Sequence, residues 1–450
     1  MALTVPVPQR TLSKVRRRIL PLIFILYLVA FLDRANVAYA KLNMSADLGF
    51  SEAVYGFGAG LFFLGYLLLE VPGALIAQRW GARRWTARIL ITWGICTIIV
   101  GFVRTAHQFY GARLALGIAE AGFFPGVAVH INRWFPKRER ARALALFLMA
   151  SPIALAIGGP IAGMILRWHY FNLPGWRWVF IAEGVPAILL GFITLYVMTD
   201  RPEQAKWLQA EERDWLLGEL EAEKRQKATL GHFTVWQAIR HPTVLVLAAI
   251  IGLANIGIQG FFLWLPTTVH KASGLNPSLS AVVSGLPFAV AVVAVLITSW
   301  SSDRTGDRIF HCAIPLILSG FIFPITTISG LSFGWLLFWL CASSAAIYAF
   351  GPTFWVLPTL TMGESAGAAA LGFVNCFSGV GGFIGPTVVG AILTLNHSYT
   401  LAVLFLSFCF LAAGLLTLSM RSRISGRRQA EAALETNAGP AASALRPEHI

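Results

Sequence analysis

The sequence predicts an all-α integral membrane protein of twelve transmembrane helices in two six-helix halves. Three observations carry this: apolar runs recur from end to end, charged residues are scarce, and basic residues gather in alternate loops. Of 450 residues, 56% are hydrophobic and 12% charged, about half the charged share of a soluble domain. Mean hydropathy is +0.68. A bilayer core takes roughly 20 apolar residues per helix, and every backbone N–H and C=O must be paired within the span. A membrane barrel would instead show alternating segments about ten residues long; these runs do not alternate.

In chain order, spans are expected near 18–38, 53–76, 88–104, 107–132, 141–166, 177–198, 243–266, 279–300, 310–329, 333–357, 365–393 and 400–420. The first run carries Asp33 and Arg34 and is long enough to stay as a span rather than act as a cleaved signal. An even count puts both tails on one side. Arg10, Lys14 and Arg16 to Arg18 precede span one; Arg79, Arg83 and Arg84 follow span two; Arg133, Lys137, Arg138, Arg140 and Arg142 follow span four. Arg304 and Arg308 follow span eight, and Arg421, Arg423, Arg427 and Arg428 follow span twelve. The intervening loops hold few such residues, among them Lys41, Arg104 and Lys271, so both termini are expected in the cytoplasm. The layout is then a tail (1–17), a first half (18–198), a linker (199–242), a second half (243–420) and a second tail (421–450). The linker mixes acids and bases, as a short solvated helix would.

The net charge of +14 therefore belongs to membrane-flanking loops, not to a nucleic-acid surface. The five cysteines are scattered with no CxxC pair, and HExxH and clustered histidines are absent from the sequence. No metal, cofactor or catalytic residue is expected, and an enzyme is disfavoured.

Two features recur at nearly one offset. Arg79 and Gly81 match Arg304 and Gly306, and Gly159-Pro160 matches Gly385-Pro386. Parallel six-span repeats, with a site between the halves, are a transporter architecture. The strings RWGARR (79–84), SDRTGDR (302–308), RLALG (113–117) and GGPIAG (158–163) resemble the signatures of the major facilitator superfamily in order. In that family an acid and these arginines brace a closed cytoplasmic gate, which implies gating roles for Arg79, Arg83, Asp303 and Arg304. The first copy has Gln78 where the acid would stand. YLVAFLDRANVAYA (27–40), FFLGYLLLEVPGALI (62–76), GIAEAGFFPG (117–126) and RWFPKRERARA (133–143) further resemble the anion:cation symporter family, most of all its tartrate-transporter-type members.

A charge at membrane depth is costly and usually functional. Those expected there are Asp33, Arg34, Glu70, Arg113, Glu120 and Glu183, all in the first half. Arg113 and Glu120 share a helix face about 10 Å apart, too far for a direct bridge. Arginine suits a carboxylate because its planar fork donates two parallel bonds; since it never deprotonates, carboxylates must carry the protons. Each of these charges could instead serve packing alone. Glu70 could brace Arg79 or Arg83, and Glu183 reads as structural. Neutral candidates are Tyr66, one turn before Glu70, then Asn255, Gln259, Trp355 and Asn375, with interhelix glue as the alternative. The family resemblance implies that Arg34, Tyr66, Glu120, Trp355 and Asn375 line a substrate cavity. It also implies that Asp33 and Glu120 handle protons and that Arg113 serves coupling. Phe31 and Ser151 depart from the family's usual residues.

The expectation is a proton-coupled symporter importing a small organic anion, such as tartrate or a sugar acid, by alternating access. Substrate contacts are expected from Arg34, Tyr66, Arg113, Gln259, Trp355 and Asn375, and proton coupling from Asp33 and Glu120. A bacterial inner membrane and a monomer are expected. Efflux by proton antiport on the same fold is the main alternative; a transport-deficient sensor is a further one.

Overall fold

The computed structural model describes residues 6–228, 240–358 and 364–437, which form helices and no strands. The first half comprises α1 (Val7–Leu48), α2 (Glu52–Trp80), α3 (Ala82–Val100), α4 (Ala106–Glu120), α5 (Phe123–Trp134), α6 (Lys137–Leu148), α7 (Ala150–Ile165) and α8 (Gly175–Val197). A linker helix, α9 (Ala210–Ala228), follows. Then come α10 (Pro242–Ser273), α11 (Pro277–Thr305), α12 (Ile309–Ile322), α13 (Phe333–Ala349), α14 (Gly351–Phe354), α15 (Glu364–Leu395) and α16 (Tyr399–Asn437). Ten segments among the described residues are long and apolar enough to cross a membrane. The stretch expected at 18–38 lies within α1, and of the one expected at 88–104 residues 88–100 are helical, in α3.

Local chemistry sets the boundaries. Ser51, Thr105 and Asn276 each accept a hydrogen bond from the backbone N–H three residues on, capping α2, α4 and α11. The expected fourth span is not one continuous helix. It breaks at Ala121–Gly122, where Gly122 is left-handed at φ 83° and packs against Gly73. A side chain at either glycine would meet the other's Cα. The expected tenth span breaks at Phe350, ahead of Pro352, giving α13 and α14.

The halves meet along two seams of small residues. On one, α2 faces α15: Gly60 lies against Phe383, Gly390 against the Glu52 backbone, and Gly56 against the Pro386 carbonyl. On the other, α7 faces α11: a Cβ on Gly163 would sit 2.6 Å from the Ser278 carbonyl, and one on Gly285 2.6 Å from that of Ala156. Lipid gives no hydrophobic drive between helices, so such close backbone approach carries the packing. Both seams lie toward the end away from the arginine-rich loops. On the basic side of Glu70, no glycine among the described residues packs against the other half.

That basic end is braced within the first half instead. Glu212 of α9, fully buried, accepts Arg10 at 2.7 Å and Lys14 at 2.7 Å. Arg16 pairs with Glu139 at 2.6 Å, and Arg140 with Glu223 at 2.9 Å. The linker helix is thus strapped to α1 and α6.

Candidate functional site

At mid-depth of the first half, α1 and α4 bring their charges together. Arg34 Nη2 lies 2.5 Å from Glu120 Oε1, and Nε donates to the same oxygen at 2.7 Å. The pair spans 86 positions of sequence and closes the gap that Arg113 could not. Glu120 is the last residue of α4, immediately before the break, and is fully buried, whereas Arg34 keeps 21% side-chain exposure. Three rings box the guanidinium: Phe31 at 4.9 Å, Tyr66 at 5.1 Å and Phe62 at 5.7 Å. Cation–π attraction of this kind strengthens as the cation is desolvated. Phe31, the departure from the family pattern, therefore still covers the arginine with its ring.

Behind this pair lies a buried polar cluster. Asn36 Nδ2 donates to Asp33 Oδ1 at 3.1 Å, and Asn36 also faces Glu183. Asp33 does not pair with Arg34. Its neighbours are Thr97, Trp93, Glu120 and Arg113. Arg113 is buried over the Phe62 ring at 4.9 Å, and its Nε and Nη1 have no partner among the described residues. The same holds for Asp33 Oδ2, Glu120 Oε2 and Glu183 Oε2. Buried charge so sparsely paired is expensive, which sets the cluster apart from ordinary packing.

Across the interface, Asn375 Nδ2 of α15 donates to Glu70 Oε1 of α2. Glu70 therefore faces the second half rather than Arg79 or Arg83, as the sequence had suggested. Tyr66 stands among Arg34, Glu70, Glu120 and Tyr27. Asn255 is spent within the second half, donating to Ser378 Oγ at 2.9 Å. The side chains of Gln259 and of Trp355, which packs on Phe354 at 5.3 Å, make no hydrogen bond among the described residues. The structure thus gathers Arg34, Glu120, Tyr66, Asp33 and Arg113 in one cluster, with Asn375 joined through Glu70. It shows no contact from Gln259 or Trp355 to that cluster.

At the end away from the basic loops sits a group that sequence reasoning missed. Lys41 Nζ, 3% exposed, lies 2.6 Å from Glu52 Oε2 and 4.5 and 4.8 Å from the rings of Trp264 and Tyr55. Trp264 Nε1 of the second half donates to Glu52 Oε2 at 2.8 Å, and Tyr55 Oη donates to the Leu263 carbonyl at 3.4 Å. The signal was present: a lysine eleven residues before a glutamate, with two large aromatics on neighbouring helices. It was hidden because Lys41 sits where a loop was expected, while α1 runs on to Leu48.

The expected gating residues stand apart. Asp303 pairs with Arg308 at 2.7 Å, and Arg304 lies over Trp300 at 5.6 Å, both within the second half. Where Gln78 replaces the acid, Asp200 supplies one from the far end of α8. Its Oδ1 accepts the Arg83 backbone N–H at 2.8 Å and caps α3. Arg79 and Arg83 make no ion pair among the described residues.

Residues 23–386 match the model of the Major Facilitator Superfamily. The chain belongs to that superfamily. An Agrobacterium vitis protein named "Putative tartrate transporter" is 39% identical over 412 residues, 91% of each chain. The inner membrane transport protein RhmT of Escherichia coli is 35% identical, covering 91% of this chain and 95% of its own. A quinolone resistance transporter of Acinetobacter baumannii is also 35% identical, with the same coverage. Among solved structures, an inward-facing, unoccupied bacterial homologue of the human lysosomal transporter Spinster superposes with a TM-score of 0.72. It has 16% identity and covers 91% of this chain and 96% of that one. A partially occluded inward-open form of the xylose transporter XylE gives 0.72 at 14% identity, covering 90% and 98%. The protein is a multi-pass membrane transporter of the major facilitator fold, not an enzyme.

Proposed function

We propose that this transporter carries a small organic anion, tartrate or a sugar acid, together with protons into the cytoplasm of a bacterial cell. The observation that carries the reading is the Arg34–Glu120 pair, a partly accessible guanidinium held by a fully buried carboxylate. A substrate carboxylate and Glu120 compete for one arginine. Protonating Glu120 removes its claim and frees the guanidinium fork for a planar anion. Binding of the anion in turn favours the protonated acid, because the counter-charge that stabilised the carboxylate has been taken. That mutual dependence is coupling in its simplest form.

In this reading Asp33 is the second proton carrier and Arg113 the buried cation that senses both acids. Tyr66, Asn375, Gln259 and Trp355 hold the rest of the ligand. The arginine-rich end, with both tails, faces the cytoplasm by the positive-inside rule. The state described is then closed outside and parted inside, and Arg79, Arg83, Asp303 and Arg304 brace the opposite state when the cytoplasmic ends meet. The two six-helix halves, 18–198 and 243–420, are the rocking units. A single chain suffices.

The test is uptake of labelled organic acids into proteoliposomes with an imposed inward proton gradient. Accumulation of tartrate or a sugar acid that a protonophore collapses supports the reading; gradient-independent equilibration of every acid tried overturns it. Proton-antiport efflux is the second reading, favoured by the likeness to the quinolone resistance transporter. It predicts drug-driven proton release from the same liposomes and no anion accumulation.

A further inference from the structure

Several bases on the cytoplasmic side of this chain are met by acids. Arg10 and Lys14 meet Glu211 and Glu212, Arg16 meets Glu139, Arg140 meets Glu223, and Arg308 meets Asp303. A cleft of ≈ 480 Å³ between the α2–α3 turn, the end of α5 and the start of the linker is different. It is lined by Arg79, Arg83, Arg84, Arg133 and Arg201, with Asp200 as its one carboxylate. Asp200 is already engaged by the Arg83 backbone N–H and crowds Gly81. Arg133 donates only to the Gln78 carbonyl, and none of the five guanidinium groups has an ion pair among the described residues. Like charges this dense repel unless an anion sits among them.

The apolar surroundings say which kind of anion. Trp80 lines the cleft and is 61% exposed; Tyr196, near the end of α8 and four residues before Asp200, is 87% exposed, and Leu75 of α2 and Ile193 of α8 are exposed as well. Aromatic residues at this level are interface anchors, and the flank they mark faces lipid. A soluble anion gains nothing from them, whereas a molecule with a phosphate head and acyl chains uses both. We propose that this cleft binds the headgroup of an anionic phospholipid of the cytoplasmic leaflet, its phosphate held by Arg84, Arg133 and Arg201. Basic pockets at the cytoplasmic ends of membrane helices recognise such headgroups, and arginine is the side chain suited to phosphate. The site does not depend on the transported substrate.

The test is native mass spectrometry of the full chain in detergent, titrated with phosphatidylglycerol, cardiolipin and phosphatidylethanolamine. Anionic lipid should be retained at least tenfold better than the zwitterionic one. Arg84→Gln with Arg201→Gln should lower that retention about tenfold, Arg84→Lys with Arg201→Lys should keep most of it, and Arg10→Gln should leave it unchanged. Both target side chains are exposed, so folding should survive, which the helical circular dichroism signal checks. Equal retention in the double glutamine variant overturns the proposal. So does an equal loss in Arg10→Gln, or displacement of the lipid by equimolar inorganic phosphate, which would mark a soluble-anion site.

Discussion

Replacing Trp264 with phenylalanine should loosen the contact between the halves at the end away from the basic loops by one charge-assisted hydrogen bond. The indole N–H donates to the Glu52 carboxylate at 2.8 Å, joining α10 of one half to α2 of the other. A phenyl ring keeps an aromatic face toward Lys41, now 4.5 Å from the indole, and keeps contact with Tyr55. What is lost is the bond itself. Hydrogen bonds to charged groups contribute about 1.5–3 kcal/mol, so the ratio of molecules parted at this end to molecules closed there should rise about 10- to 150-fold. The lower part of that range is expected, because Glu52 retains 28% exposure. Spin labels at Ala46 and Asn396, both exposed and on different halves at this end, would report it by pulsed dipolar spectroscopy. The background must lack Cys96, Cys312, Cys341, Cys376 and Cys409. The variant should gain a longer-distance population that wild type lacks. Gly56→Leu, which drives a side chain into the Pro386 carbonyl, serves as a positive control. If Gly56→Leu opens this end and Trp264→Phe matches wild type, the Trp264–Glu52 bond does not hold the halves together.

Other outcomes follow from the same geometry. Glu120→Gln should abolish proton-driven accumulation while counterflow exchange persists, because Arg34 is freed without a proton; accumulation equal to wild type in liposomes would contradict it. Asn375→Ala removes a donor assigned to the ligand and should weaken anion binding about tenfold, measured by calorimetry, the size expected for a lost hydrogen bond to a charged group. Burial pushes the Glu212 carboxyl up, but Lys14, the Gln209 N–H and Arg10 together hold it below its ordinary 4.5. A depressed acid contributes its stability above its ordinary value and loses it as pH falls through the lowered one. Exchange protection of α9, corrected for intrinsic rates, should therefore hold at pH 6 and fall below about pH 4.5, and Glu212→Gln should remove that dependence.

Much of the fold was legible because lipid leaves the chain few choices. Apolar runs of the right length must be helices, and the arginine loops announce a sidedness. The break at Ala121–Gly122 was not legible, since nothing in the run GIAEAGFFPG distinguishes a glycine that packs face to face with Gly73 from one that simply fits a helix. The charged residues of the site were visible as charges out of place, but their pairing was not. Arg34 of α1 and Glu120 of α4 meet through side chains reaching between two separate helices, which no spacing within either helix reports. Glu70 was misdirected for the same reason: its nearest arginines in sequence are not its neighbours in space, and Asn375 reaches it from the other half. The Lys41–Glu52–Trp264 group was missed because a charge near a span end normally signifies only a solvated loop.

The central claim is that an anion and protons enter together, and the most direct measurement is the external pH of lightly buffered proteoliposomes when tartrate or a sugar acid is added. Potassium with valinomycin clamps the potential. The account predicts alkalinisation outside, as protons follow the anion inward, with Glu120→Gln silent. Acidification, or anion uptake with no proton movement, would contradict it.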